Sequence, residues 1–202
     1  QLLLAVEFFV LIPLVNRSDP APRPTFMQLL RAWWRESLTA HDVFGWQQPF
    51  RSRARDDTLD AAAPGRRAVV LVHGFFCNRA VWNRWVPALR AEGVPHVAIT
   101  LEPPFAGIDS NVEAVDDAIV RATQATGLPP LVVCHSMGGL ALRAWWRVHA
   151  ASAASRVHGV ITIGSPHRGT WLGRFSRVAN GRQMRLGGDW LRALQAREAQ
   201  IN

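Results

Sequence analysis

From residue 68 onward the chain alternates short, continuous apolar runs with stretches of helical period. Ala68 to Val72 (AVVLV) predicts a strand buried on both faces, ended by His73-Gly74. Val81 to Leu89 (VWNRWVPAL) predicts a helix around Pro87, closed by Glu92-Gly93, and His96 to Thr100 (HVAIT) predicts a second strand. Ser110-Asn-Val-Glu113 has the form of a capping box and starts a helix to about Ala125, with Gly127 as its stop. Pro130 to Cys134 is a third strand, Met137 to Ala150 a helix, and Val157 to Ile163 a fourth strand. Such alternation predicts an α/β fold with a mostly parallel sheet flanked by helices.

The region before it is organised differently. Leu2 to Val15 (LLLAVEFFVLIPLV) is apolar but shorter than the roughly 20 residues a spanning helix needs. It reads either as the tail of a longer membrane segment or, given Glu7 inside the run, as a buried helix. Asn16 to Pro24 (NRSDPAPRP) is a proline-stiffened connector, so residues 1–24 form an apolar segment plus linker. Phe26, Leu29, Leu30, Trp33 and Trp34 fall at helical spacing within Phe26–Leu38, a helix suited to the domain surface or to a membrane interface. Arg51 to Arg66 is charged, then small, then Pro-Gly, which sets a helical juxtamembrane segment at 25–65 and the main domain at 66–202.

Composition narrows the function classes. With 202 residues, 49% hydrophobic and 19% charged, the chain has material for one buried core and a short appendage. The formal charge of +8 suggests an anionic partner, yet all 23 basic residues are Arg, scattered without the basic stripe of a nucleic-acid groove. No nucleic-acid partner is expected. Cys77 and Cys134 match no zinc spacing and leave either one bridge or two small thiols, so no metal is expected, and no cofactor.

The segment Leu131–Trp146 (LVVCHSMGGLALRAWW) places Ser136 between a strand and a helix, the layout of a nucleophile elbow. Residues two before and two after the serine must be small, because strand and helix backbones crowd there. Gly138 satisfies this, and Cys134 stands where glycine is usual. A phosphate loop is excluded, since no Gly-Lys-Ser/Thr occurs and the chain has no Lys. His73-Gly74-Phe75-Phe76 follows the first strand, where an oxyanion loop belongs, so the backbone amides of Phe75 and Met137 are the expected donors to a developing negative charge.

Together LVHGFF (Leu71–Phe76), CHSMGG (Cys134–Gly139) and GSPHRGT (Gly164–Thr170) resemble the bacterial lipases and esterases of the alpha/beta-hydrolase superfamily, including triacylglycerol lipase-like proteins, over roughly residues 66–175. The resemblance implies an eight-stranded, mostly parallel sheet and cleavage of small-molecule or lipid carboxylic esters through an acyl-enzyme on Ser136. The apolar start, Leu2–Val15, sets a separate expectation, a chain associated with a membrane, the bacterial inner membrane, the side left open. A serine nucleophile needs a histidine and an acid, here expected in the order Ser, Asp or Glu, His. His149, His158 and His167 follow Ser136; the first lies on the elbow helix, the second in a strand, and the third in a segment whose histidine shapes the loop in such lipases. Asp189 is expected to cap a helix running to Gln200. The acid and base are therefore expected beyond Asn202, making the chain the N-terminal part of an alpha/beta-hydrolase fold, inactive by itself. Residues 171–202 are either a lid or a plain surface helix pair. A non-catalytic binding module of the same fold and an acyltransferase using the same serine are the alternative functions.

Overall fold

The computed structural model describes residues 2–15, 22–61 and 65–198, which form two compact units, Gln1–Phe50 and Arg51–Asn202. In the second unit, strands β1 (Val69–Val72), β2 (His96–Ile99), β3 (Leu131–His135) and β4 (Gly159–Ile163) make a parallel sheet in the order β2-β1-β3-β4. Register is continuous: Val72 pairs with Ile99 on one side and Cys134 on the other, and Cys134 pairs with Thr162. The carboxyl ends of all four strands therefore meet at one edge.

The apolar runs are continuous because both faces of the sheet are covered. Val70, Val72, Val97, Ile99, Val132 and Cys134 pack on one face beneath the helices Val112–Thr126 and Gly138–Val148, whose Ile119, Leu140 and Trp145 are fully buried. Val69, Leu71, Ala98 and Val133 face the other way, against Trp82 and Leu89. At the edge of the sheet β4 differs, with Val160 and Ile161 41% and 48% exposed.

Several boundaries move for identifiable reasons. The expected helix Val81–Leu89 divides into a 3-10 turn, Arg79–Trp82, and a helix, Val86–Ala91, because Pro87 fits only a first helical turn. The Ser110–Glu113 capping box does not form. Instead Ser110 Oγ donates to the Gly107 carbonyl at 2.7 Å within a 3-10 turn, and the helix starts at Val112. Gly127 does stop that helix, at φ 73°, its N–H returning to the Thr123 carbonyl. Asp189 is the first residue of its helix and pairs with Arg192, one turn on, rather than capping from outside.

The unit boundary falls at Phe50/Arg51 rather than at 65/66. Residues 51–61 are fastened to the sheet: Asp57 accepts from Ala98 N–H at 3.0 Å and from Arg79 at 2.6 Å, Thr58 N–H donates to the His96 carbonyl, and Leu59 is buried in the core. Much of the expected Asn16–Pro24 connector lies outside the described residues. The 171–198 segment is also secured. Leu191 and Leu194 are buried, Asn180 donates to the Pro104 carbonyl, and Gln183 accepts from Ile108 N–H, while Leu172, Phe175 and Leu186 stay exposed.

If Asp57 holds residues 51–61 on the sheet, Asp57→Ala strands the Ala98 amide and the Arg79 guanidinium, a loss of about 2 kcal/mol. For a domain of this size the melting temperature should drop by roughly 4–8 °C. An unchanged melting curve would show that the segment contributes nothing to the sheet.

Candidate active site

The strand-to-helix turn after β3 is built by crowding. Ser136 has φ 51°, a left-handed conformation that costs a non-glycine residue about 1–3 kcal/mol, and its N–H is tied to the Ile163 carbonyl at 2.8 Å. A Cβ on Gly138 would meet the His73 and Val72 carbonyl oxygens at 2.6 and 2.7 Å, so the helix begins against the end of β1. A Cβ on Gly74 would meet Ser136 Cβ at 2.7 Å. These contacts bring together the His-Gly loop and the serine turn, two motifs distant in sequence. Cys134 occupies the other small position, wholly buried, and burial pushes its thiol pKa up to about 12, so it stays a protonated packing group. No disulfide joins it to Cys77.

Ser136 is half-buried, and among the described residues its hydroxyl makes no hydrogen bond. Nor does any acceptor among them meet the backbone amides of Phe75 and Met137. Both amides sit next to the serine, one in the loop that touches it and one at the start of the Gly138–Val148 helix, whose N-terminus favours negative charge.

His73 organises the loop, a role that the His-Gly dipeptide does not advertise. It is 2% exposed; its Nδ1 lies 2.8 Å from the Gly74 carbonyl and its Nε2 accepts from Leu101 N–H at 2.8 Å. That pairing requires the neutral ring protonated on Nδ1. Burial lowers its pKa to about 4, against the raising effect of the Gly74 carbonyl and with a further lowering from nearby His135. The loop after β2 also supplies Phe105, which stacks on Phe76 at 6.0 Å and meets Phe75 edge-on at 6.1 Å. Phe76 takes φ 57° and is 65% exposed, and Phe105 is 45% exposed, so an apolar ledge borders the serine loop. Sequence reading missed Phe105 because nothing near it carries a motif.

The three later histidines stand elsewhere. His149 pairs with Asp116 at 3.3 Å and rests on Trp145. His158 is exposed, its backbone amide bound to the Pro130 carbonyl. His167 Nε2 is 3.1 Å from Thr162 Oγ1, and its pKa is lowered by burial and by Arg143, opposed by Glu198. Arg143, on the elbow helix, donates to the His167 carbonyl at 2.8 Å and grips Glu198 through two bonds of 2.7 and 2.6 Å, locking the GSPHRGT segment and the last helix onto the domain. A cavity of about 390 Å³ lies beside this clamp, lined by Leu142, Trp146, Val160 and Thr162, not by Ser136. Among the described residues no cluster could hold a metal ion.

The buried neutral His73 carries a pH signature. Its folded pKa is depressed, so as pH falls from 6.5 toward 4 the unfolded chain takes up a proton that the folded chain refuses. Its contribution is complete above pH 6.5 and declines through that window by on the order of 3 kcal/mol. Urea titrations should show that His73→Gln is less stable at neutral pH and lacks this acid-dependent component. An identical acid loss in both proteins would refute it.

The alpha/beta hydrolase family model matches residues 69–200. Among solved structures, the mature form of Bacillus licheniformis lipase BlEst2 aligns at a TM-score of 0.58 and 20% identity, over 66% of this chain and 60% of that one. Aspergillus fumigatus lipase B aligns at 0.57 and 19%, over 65% of this chain and 34% of that one. At these identities the likeness concerns the fold, and the chain spans about 60% and 34% of the length of the two lipases. The search of curated proteins finds no match. By the extent of its family match and by the strand–elbow–helix geometry, the chain belongs to the alpha/beta hydrolase family.

Proposed function

We propose that this chain carries the nucleophile half of a serine ester hydrolase of lipase or esterase type. One observation carries the reading: Ser136 is held in a strained left-handed turn beside two backbone amides, of Phe75 and Met137, that have no acceptor among the described residues. Strain of this kind persists only where the surroundings enforce it, and here they hold the serine at the carboxyl end of β3, which supports a nucleophile's position. Ser136 Oγ forms a bond to the ester carbonyl carbon while its proton passes to a base. The resulting oxyanion is received by the amides of Phe75 and Met137, and the C–O bond then breaks as the alcohol leaves with that proton. Water repeats the sequence on the acyl-enzyme and restores the serine. The ledge of Phe75, Phe76 and Phe105 suits an apolar acyl or alcohol group, and two of the aligned structures bear the name lipase.

The Ser136 hydroxyl makes no hydrogen bond to a described histidine, and His149 and His167 pair elsewhere, so this reading leaves its base and acid to residues outside those described, in the chain order Ser, acid, His. The same observation favours a second reading, a non-catalytic binding module in which the ledge holds an apolar ligand and the serine has no base.

The two separate in one experiment on the protein including any continuation past Asn202. A fluorophosphonate probe should label Ser136, and Ser136→Ala should abolish both labelling and p-nitrophenyl ester turnover. Gly74→Ala, which drives a methyl group against Ser136 and displaces the Phe75 amide, should lower kcat/KM by roughly 10²-fold with the fold intact by circular dichroism. Ester turnover surviving in Ser136→Ala sinks the nucleophile assignment, and an unlabelled, folded protein supports the binding module.

A further inference from the structure

We propose that the unit Gln1–Phe50 is an interfacial anchor that lies along the surface of an anionic phospholipid bilayer, through the outer face of the helix Phe26–Asp42. The inference does not depend on the serine chemistry.

That unit is apolar on the outside. Of the twenty exposed large hydrophobic residues among the described residues, eleven fall within these first fifty, the smaller of the two units. Leu2, Val6, Val10 and Leu14 recur every fourth residue, one stripe along a helical run, and all are 40% exposed or more. Phe44, Trp46 and Phe50 are 48%, 53% and 70% exposed. Water-facing surface seldom concentrates such residues without a partner.

The helix Phe26–Asp42 shows which partner. Its start is fixed by a capping box in which Thr25 accepts from Gln28 N–H and the Gln28 side chain accepts from Thr25 N–H. One face is spent within the unit: Trp33 lies 6.3 Å from Phe9, and Ser37 is buried. The opposite face carries Met27, Arg31, Trp34, Arg35 and Leu38, at i, i+4, i+7, i+8 and i+11, all exposed. Arg31 and Arg35 have no ion-pair partner among the described residues. His41 continues the stripe; the nearby carboxylate of Asp42 accepts from Gln47, and Glu36 lies on another side of the helix.

Apolar side chains and unpaired guanidinium groups sharing one stripe suit a shallow site, with Trp34 and Leu38 among acyl chains and the Arg heads on lipid phosphates. A protein-binding groove would more simply be apolar at its centre, with its charges at the rim. Seventeen residues of this helix extend about 25 Å, less than a hydrocarbon core, and none of the described helices is long and apolar enough to cross a membrane. A helix lying flat satisfies both facts.

Flotation with vesicles tests this on the whole protein, comparing phosphatidylcholine alone with a phosphatidylcholine–phosphatidylglycerol mixture, at low and high salt. The wild type should float with the anionic vesicles and be released by salt. Arg31→Gln combined with Arg35→Gln should weaken that partitioning roughly 10- to 30-fold. Trp34→Ala combined with Leu38→Ala should reduce binding at both salt concentrations. Because all four side chains are exposed, circular dichroism should be unchanged in both variants. The proposal is overturned if nothing floats, if the double Arg variant floats as well as the wild type, or if alkaline carbonate fails to strip the protein, which would mean insertion. A dimer that Trp34→Ala dissolves, seen by light scattering without flotation, would assign the face to a second copy and also overturn it.

Discussion

The second unit depends on one steric constraint, the meeting of three backbones at the carboxyl edge of the sheet. The end of β1, the turn after β3 and the first turn of the Gly138–Val148 helix approach so closely that a single added carbon at Gly74 or Gly138 would fall within 2.7 Å of its neighbours. Parallel pairing of β1 with β3 places these segments side by side. Within this crowding Ser136 takes its left-handed turn into a helix whose Leu140, Ala141 and Trp145 are buried in the core. The free-energy cost of that turn is small beside the apolar burial it permits, on the order of 1–3 kcal/mol against a similar amount for each large core side chain.

Around this point the polar groups keep the edge rigid. His73 joins the Gly74 carbonyl to the Leu101 amide and so couples the loops after β1 and β2. Asp109, in the loop that leads into the Val112–Thr126 helix, receives Arg147 from the elbow helix and Trp190 from the last helix. Arg143 ties that last helix and the loop after β4 to the same elbow helix. The Gly138–Val148 helix is therefore both the floor beneath the serine and the strut to which the later segments are bolted. Asp116 strengthens it from the side: burial alone would raise its carboxyl pKa, but the Trp145 indole, Arg156 and His149 outweigh that and hold it ionised.

Most of the strand–helix alternation was legible because buried parallel strands are written as unbroken runs of β-branched residues and helices as periodic ones. The serine turn was legible for a steric reason, since small residues must flank it. What escaped the sequence was set by partners far along the chain. Residues 51–61 look like a charged linker, and only the Asp57 bonds to Ala98 and Arg79 make them part of the sheet unit. The Ser110 hydroxyl has a capping pattern, yet it turns back to Gly107 because the 3-10 turn beneath it is held by buried Ile108 and by Gln183. Phe105 joins the ledge through a loop whose own sequence is ordinary.

β3 and β4 differ in how completely the described residues pack them. The Ser136 turn is shaped by β1, β3, the end of β4 and the helix that follows it. Yet β4, unlike β1 and β2, leaves the β-branched side chains of Val160 and Ile161 close to half exposed, and its outer edge has no strand paired with it among the described residues. Such an edge is unfavourable if left bare, since both its apolar faces and its backbone donors and acceptors face water. Among the described residues the β4 edge is thus the place where the sheet is least satisfied.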